Sequence, residues 1–196
     1  MNFLAHATLS LGNDDILFGN MIADFVKGRL PLDNYPQGIR EGILLHRKID
    51  EFTDLHPAVL KAKNYFRLDY RLYSGAFVDI VFDHFHANDP HYFNSDEDLL
   101  QFTHHIYHVL QTNHDLLPTA SQYLFLVMQE QNWLYNYKTF KGLKQGLQGV
   151  TRRAKYLDDW EKGFEITMNH YYELNQLYFE VMEALILYVK KELKAF

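Results

Sequence analysis

The chain has 196 residues, a formal net charge of -6 and no cysteine. Disulfides, thiolate metal sites and a cysteine nucleophile are therefore excluded. The negative balance argues against a broad nucleic-acid surface, which needs basic charge. Hydrophobic residues make up 47% and aromatic residues 16%, enough for one substantial core, so residues 1–196 are expected to form a single helical domain.

No stretch reaches the roughly 18 consecutive apolar residues of a membrane span. The opening Met1-Asn2-Phe3-Leu4-Ala5-His6 lacks a basic segment followed by a long apolar run, so no signal peptide is expected and the cytoplasm is the expected location. Charge is uneven along the chain. Residues 1–75 carry nine Lys/Arg and nine Asp/Glu, residues 72–137 carry no Lys or Arg, and residues 138–196 carry ten basic and eight acidic groups. Cationic surface is thus confined to the two ends of the chain.

Apolar residues recur at helical spacing almost throughout, which predicts an all-α bundle of about seven to nine helices. A first helix is predicted after Asn13, with Asp14 and Asp15 suiting its positive N-terminus, running through Phe25 to about Gly28. A second follows Pro36 and covers Ile39 to Ile49. A third starts near Pro57 and carries Val59 and Phe66, and a fourth runs from about Ser74 through Phe85. Ser95, followed by Asp96, Glu97 and Asp98, is an N-cap signature for a helix to about Thr112. Pro118 opens another through Tyr135, a Gly-interrupted segment spans Phe140 to Tyr156, and a long last helix is predicted from about Asp158 to Lys194.

The informative polar residues lie in the first ninety positions, with 91–196 expected to act as scaffold. Asn20 and Asp24 are four apart among Met21, Ile22 and Phe25, so they share a helix face that is expected to be partly buried. An isolated buried carboxylate costs several kcal/mol or more, so Asp24 needs a partner, an arginine or a metal. On the second helix, His46, Asp50 and Asp54 form an i, i+4, i+8 line. That spacing brings an imidazole and a carboxylate to one ion, or lets the carboxylate orient the ring; a solvated stripe is the bland alternative. On the fourth, Asp79 and Asp83 share a face with no basic residue nearby in sequence, and two such carboxylates repel unless a cation lies between them. His84 follows Asp83 directly. His6 sits behind an apolar opening, where a lone histidine is often a hydrogen-bonded core residue. His104, His105, His108 and His114 read as a polar helix face. There is no Gly-rich phosphate loop with a lysine, no Gly-x-Ser-x-Gly turn and no His-Glu-x-x-His. A His/Asp donor set suits Mn, Fe, Zn or Mg.

Four blocks in order carry a resemblance. They are Asn2-Phe3-Leu4-Ala5-His6, Gly19-Asn20-Met21-Ile22-Ala23-Asp24-Phe25-Val26-Lys27-Gly28, Gly42-Ile43-x-x-His46-Arg47-x-Ile49-Asp50-x-x-Thr53-Asp54, and Asp83-His84-Phe85. Together they resemble the bacterial acyl carrier protein phosphodiesterases, regarded as a non-standard branch of the all-helical HD phosphohydrolases. Here the adjacent pair is Asp83-His84, reversed from the usual order, so the parent ligand scheme does not transfer directly. The resemblance implies cleavage of the phosphodiester between 4'-phosphopantetheine and a serine of holo-acyl carrier protein, a place in fatty acid metabolism, and manganese as the metal.

On that basis Asp24, His46, Asp83 and His84 are expected to hold the metal, with His6 and Asp50 as further or supporting ligands. Asp24 and Asp50 are also expected in catalysis, and Arg47 or Lys27 would steady a phosphate oxygen. The partner would be an acidic protein. A basic patch is needed to dock it, and Arg40, Arg47, Lys48, Lys61, Lys63, Arg67 and Arg71 cluster in and after the second helix. Two alternatives stay open: an HD-type hydrolase of nucleotides or other small phosphate esters, and a non-enzymatic helical binding module.

Overall fold

Proline and short polar residues set the helix starts. Pro57 occupies the first turn of its helix, and Pro36 and Pro118 immediately precede theirs, where a missing N–H costs nothing. Elsewhere side chains cap: Asn13 accepts from the Ile16 N–H at 3.1 Å, and Ser95 accepts from the Asp98 N–H at 3.1 Å.

The structure is a computed structural model that describes residues 2–28, 30–154, 157 and 159–195. It contains α1 (Phe3–Thr8), α2 (Asp14–Ile22), α3 (Gln37–Leu55), α4 (Pro57–Tyr70), α5 (Ser74–Ala87) and α6 (Asp96–Thr112). These are followed by α7 (Thr119–Glu130), α8 (Trp133–Asn136), α9 (Phe140–Arg153), α10 (Glu161–Asn169) and α11 (Tyr171–Glu192). No strand occurs among the described residues, so the all-α expectation holds. No described helix is long and apolar enough to cross a membrane.

The helices differ from the expected ones in four places, the first being α1, which has no expected counterpart. The first predicted helix ends at Ile22, and the chain tightens into a 3-10 turn over Ala23–Phe25 before Gly28. The helix expected from Pro118 to Tyr135 is two helices, because Asn132 takes a left-handed conformation at φ +48°. The long last helix is broken at His170, whose φ of -122° and ψ of 27° end α10. The apolar pattern continues across that break, so periodicity alone joins the two pieces. The expected helix limits at Tyr156 and Asp158 lie outside the described residues.

α5 runs through the middle of the molecule and is apolar nearly all round, as a helix with neighbours on every side must be. It packs on α1, α4, α9 and α11. Its own Phe77 and Phe82, and Phe66 and Tyr178 around it, are fully buried. A close backbone approach joins α2 to α3. A Cβ on Gly19 would lie 2.1 Å from the Ile39 carbonyl oxygen, and one on Gly42 would lie 2.3 Å from that of Ile16. Only glycine at both positions lets the two backbones meet. That contact brings the last turn of α2 against the middle of α3, where His46 sits.

A candidate metal centre

α3 offers its His46 and Asp50 to one face, one turn apart. The glycine contact places the Asn20 carbonyl, in the last turn of α2, 2.8 Å from His46 Nδ1. A carbonyl can only accept, so Nδ1 carries the proton. The other nitrogen, Nε2, lies 3.3 Å from Asp24 Oδ1 and 3.2 Å from Asp50 Oδ2. In a neutral ring Nε2 is a lone pair, and it faces two carboxylates. Either a proton or a metal cation must sit there.

His6 repeats the arrangement from α1. The Asn20 amide nitrogen donates to the His6 carbonyl at 2.8 Å and to Ser10 Oγ at 3.3 Å, which fixes the amide orientation. Its oxygen therefore accepts from His6 Nδ1 at 2.9 Å. His6 Nε2 points the same way as that of His46, because the two rings stack with centroids 4.0 Å apart and 17° between planes. This nitrogen is 3.3 Å from Asp50 Oδ1, yet the buried atom has no hydrogen-bond partner among the described residues. His6, His46 and Asp50 thus present three ligand atoms within 4.8 Å of one another. The three residues fit a divalent ion on two counts: an orphaned buried imidazole nitrogen, and a second imidazole whose lone pair faces carboxylates.

The electrostatics follow from this crowding. Burial, and then the neighbouring His46, lower the His6 pKa to about 4, so His6 keeps its lone pair at neutral pH. For His46 burial works downward, but the carboxylates of Asp24 and Asp50 outweigh it and raise the pKa to about 9. Burial pushes Asp50 up; the two imidazoles overcome it and hold Asp50 well below the usual carboxylate range. Asp24 is lowered as well, chiefly by its hydrogen bond to His46. Without a metal, a proton on His46 is what reconciles the cluster.

A cleft of about 340 Å³ opens over these atoms, with Asp24, His46, Asp50, Asp54, Lys63 and Asp79 on its walls. Burial raises the Asp79 pKa. Lys63 pairs with Asp54 at 2.7 Å across the mouth.

The structure does not bring every expected residue to this point. Asp83 is fully buried, and its two oxygens accept the Leu4 and Ala5 N–H groups at 3.0 and 3.2 Å. It caps α1 and so anchors the helix that carries His6. Burial raises the Asp83 pKa to about 7, against the pull of those two N–H donors. His84 donates from Nδ1 to the Tyr137 carbonyl at 2.7 Å and accepts at Nε2 from the Tyr171 hydroxyl at 2.9 Å, so both nitrogens are occupied. Arg47 donates to the Val26 and Gly28 carbonyls at 2.7 and 3.0 Å. It ties down the loop that carries Asp24 and the exposed Lys27. Asn20, which orients both histidines, was legible in sequence only as a polar residue on an apolar face.

The described residues therefore form an all-helical protein with a His-His-Asp cluster that could hold a metal ion. A family model described as acyl carrier protein phosphodiesterase matches residues 1–185. The chain belongs to that family. A relative from Yersinia enterocolitica is 33% identical over 95% of this chain and 96% of its own length. One from Photorhabdus laumondii is 32% identical over 92% and 90%, and one from an Enterobacter species is 28% identical over 98% and 99%. Each is named acyl carrier protein phosphodiesterase. No solved structure matches the chain.

Proposed function

We propose that this protein is a metal-dependent phosphodiester hydrolase that removes 4'-phosphopantetheine from the serine of holo-acyl carrier protein, leaving the apo-protein. Family membership supports the substrate. The observation that carries the metal dependence is the pair of Nδ1-protonated imidazoles, His6 and His46, whose Nε2 atoms converge on Asp50.

His6, His46 and Asp50 would hold the ion, with Asp79 on the cleft wall as a further oxygen donor. Bound there, a divalent ion, manganese in our reading, would supply positive charge to the phosphate and lower the pKa of water. Asn20 keeps both imidazoles in the tautomer that offers Nε2. Asp24, ionised at neutral pH and open to the cleft, accepts the proton of the attacking water. Lys63, on the cleft wall, steadies the phosphate oxygens, with the exposed Lys27 of the 26–28 loop as a second candidate. Arg47 acts through the 26–28 loop and positions Asp24.

Mass spectrometry of holo-acyl carrier protein tests this reading. Incubation with the protein and manganese is expected to remove the phosphopantetheine mass, and chelation to abolish the loss until metal is restored. Full hydrolysis by rigorously metal-free protein would overturn the metal assignment. No hydrolysis with any divalent ion would overturn the reaction.

A further inference from the structure

Beside the metal cleft lies a second, wider groove of about 640 Å³. It shares Lys63, Leu72 and Gly75 with the cleft, so the two are continuous. Its far wall is a stripe of α4, Leu60, Asn64 and Arg67, spaced i+4 and i+3 and continued by Arg71 just past the helix end. We propose that this stripe and Leu72 form the surface on which the acidic carrier protein docks. The inference rests on the substrate proposed above.

The position follows from the bond to be cut. The phosphate is joined directly to the carrier's serine, so the surface around that serine must come within one phosphodiester of the metal ligands. Whatever receives the carrier therefore has to border the cleft mouth, as this groove does.

The charge follows too. Within the cleft the charges are already paired, Asp24 and Asp50 with His46 and Lys63 with Asp54, so attraction for an acidic partner has to come from beside it. Of the cations near α3 and α4, Arg40 pairs with Asp33, Lys48 with Glu192 and Lys63 with Asp54, while Arg47 serves the 26–28 loop. Lys61, Arg67 and Arg71 are exposed and form no ion pair with the described residues, and of these Arg67 and Arg71 line the groove. The fold does not use them.

Two further features mark the same edge. Leu60 is 49% exposed and Leu72 98% exposed, which puts apolar contact area next to the guanidinium groups. Arg71 also holds a backbone at φ +45°, ψ -115°, where glycine would be unstrained. This turn ends α4 and sends Arg71 and Leu72 outward at the cleft mouth. A strained non-glycine residue retained at such a place points to a use for its side chain.

Steady-state hydrolysis of holo-acyl carrier protein with manganese tests the surface. Arg67→Glu is expected to raise KM by about tenfold or more, to change kcat much less, and to flatten the salt dependence of kcat/KM. Lys141→Glu makes the same charge change on α9, away from the groove, and is expected to move KM less than about threefold. Leu72→Glu, at an exposed position, is expected to follow Arg67→Glu. An unchanged KM in Arg67→Glu, or an equal rise in Lys141→Glu, would overturn the docking surface. If wild type does not hydrolyse the carrier, the proposed function fails on its own, and fluorescence anisotropy of labelled holo-carrier decides the surface. Binding lost in Arg67→Glu upholds it; equal binding by both proteins, or none by wild type, overturns it.

Discussion

Two buried histidine clusters share this bundle and differ in one respect. Around His86 both ring nitrogens have hydrogen-bonding partners, and the roles are complementary when the Thr8 hydroxyl donates to the ring at 2.7 Å and not to the Leu4 carbonyl at 3.1 Å. The Tyr178 hydroxyl donates to Asp89 Oδ2 at 2.9 Å and accepts from His86 Nδ1 at 2.8 Å, while His86 Nε2 lies 2.7 Å from the Thr8 hydroxyl. Asp89 spends its other oxygen on the N–H and ring of His91. His84 is satisfied in the same way by Tyr137 and Tyr171. Around His6 and His46 the roles match only when a proton or a cation is added: His46 Nε2 faces two carboxylates, and the buried His6 Nε2 has no hydrogen-bond partner among the described residues. A closed network holds helices together. An open one asks for a cation.

The comparison makes its largest claim about His46. Replacing His46 with alanine is expected to lower hydrolysis on the order of 10²–10³-fold and to abolish metal retention, while the helical circular dichroism stays as in wild type. Elemental analysis of the purified variant reads the metal. A His46→Ala protein that keeps both its metal and its rate would place the ion elsewhere and erase the distinction between the clusters.

A smaller effect belongs to Asn20, which touches no metal ligand atom but orients both rings. Orienting partners of metal-bound imidazoles are worth about 10–100-fold in affinity or activity. Asn20→Ala is expected to weaken manganese binding by that factor, measured by competition with a chromogenic chelator. Asn20→Asp restores the oxygen that accepts from His6 Nδ1 but loses the donor to the His6 carbonyl, so it is expected to recover part of the affinity. Equal affinity in all three proteins would show that the backbone alone sets the tautomers.

Asn20 also shows where the sequence stops being informative. His46 and Asp50 are legible as a pair because one helix turn separates them, and α3 presents both to the same side. Asp83 and His84, next to each other in sequence, do not share a face. Adjacent helical residues point about 100° apart, so Asp83 reaches the start of α1 while His84 reaches Tyr137 and Tyr171. His6 enters the cluster through tertiary contacts made by a six-residue helix, too short to leave a periodic signature. The long helices α3 to α6 stand out in the pattern. The breaks at Asn132 and His170 do not, because the apolar spacing carries on through them.

The smallest expected effect tests the closed cluster. Burial lowers the His86 pKa to about 4 from the ordinary 6.5, and the nearby Asp89 charge offsets only part of that. The unfolded chain binds the proton near the ordinary value, whereas the folded chain does so only near the lowered one. Between those two values the unfolded state carries more protons, so stability falls as the pH falls, by up to about 1.4 kcal/mol per pH unit for this one group. His6 in the metal-free protein contributes with the same sign, and His46, with its raised pKa, contributes stability that is lost only as the pH rises toward about 9. A difference measurement isolates His86. Urea unfolding of manganese-loaded wild type and His86→Asn is compared at about pH 7 and about pH 5. The variant is expected to be less stable at both values, because its side chain cannot bridge Thr8 and Tyr178, but its stability should depend less on pH. Equal slopes in the two proteins would mean that His86 takes up its proton as readily in the fold as outside it. The network around His86 would then be as open as the one around His6, and hydrogen-bond complementarity would no longer separate scaffold from site.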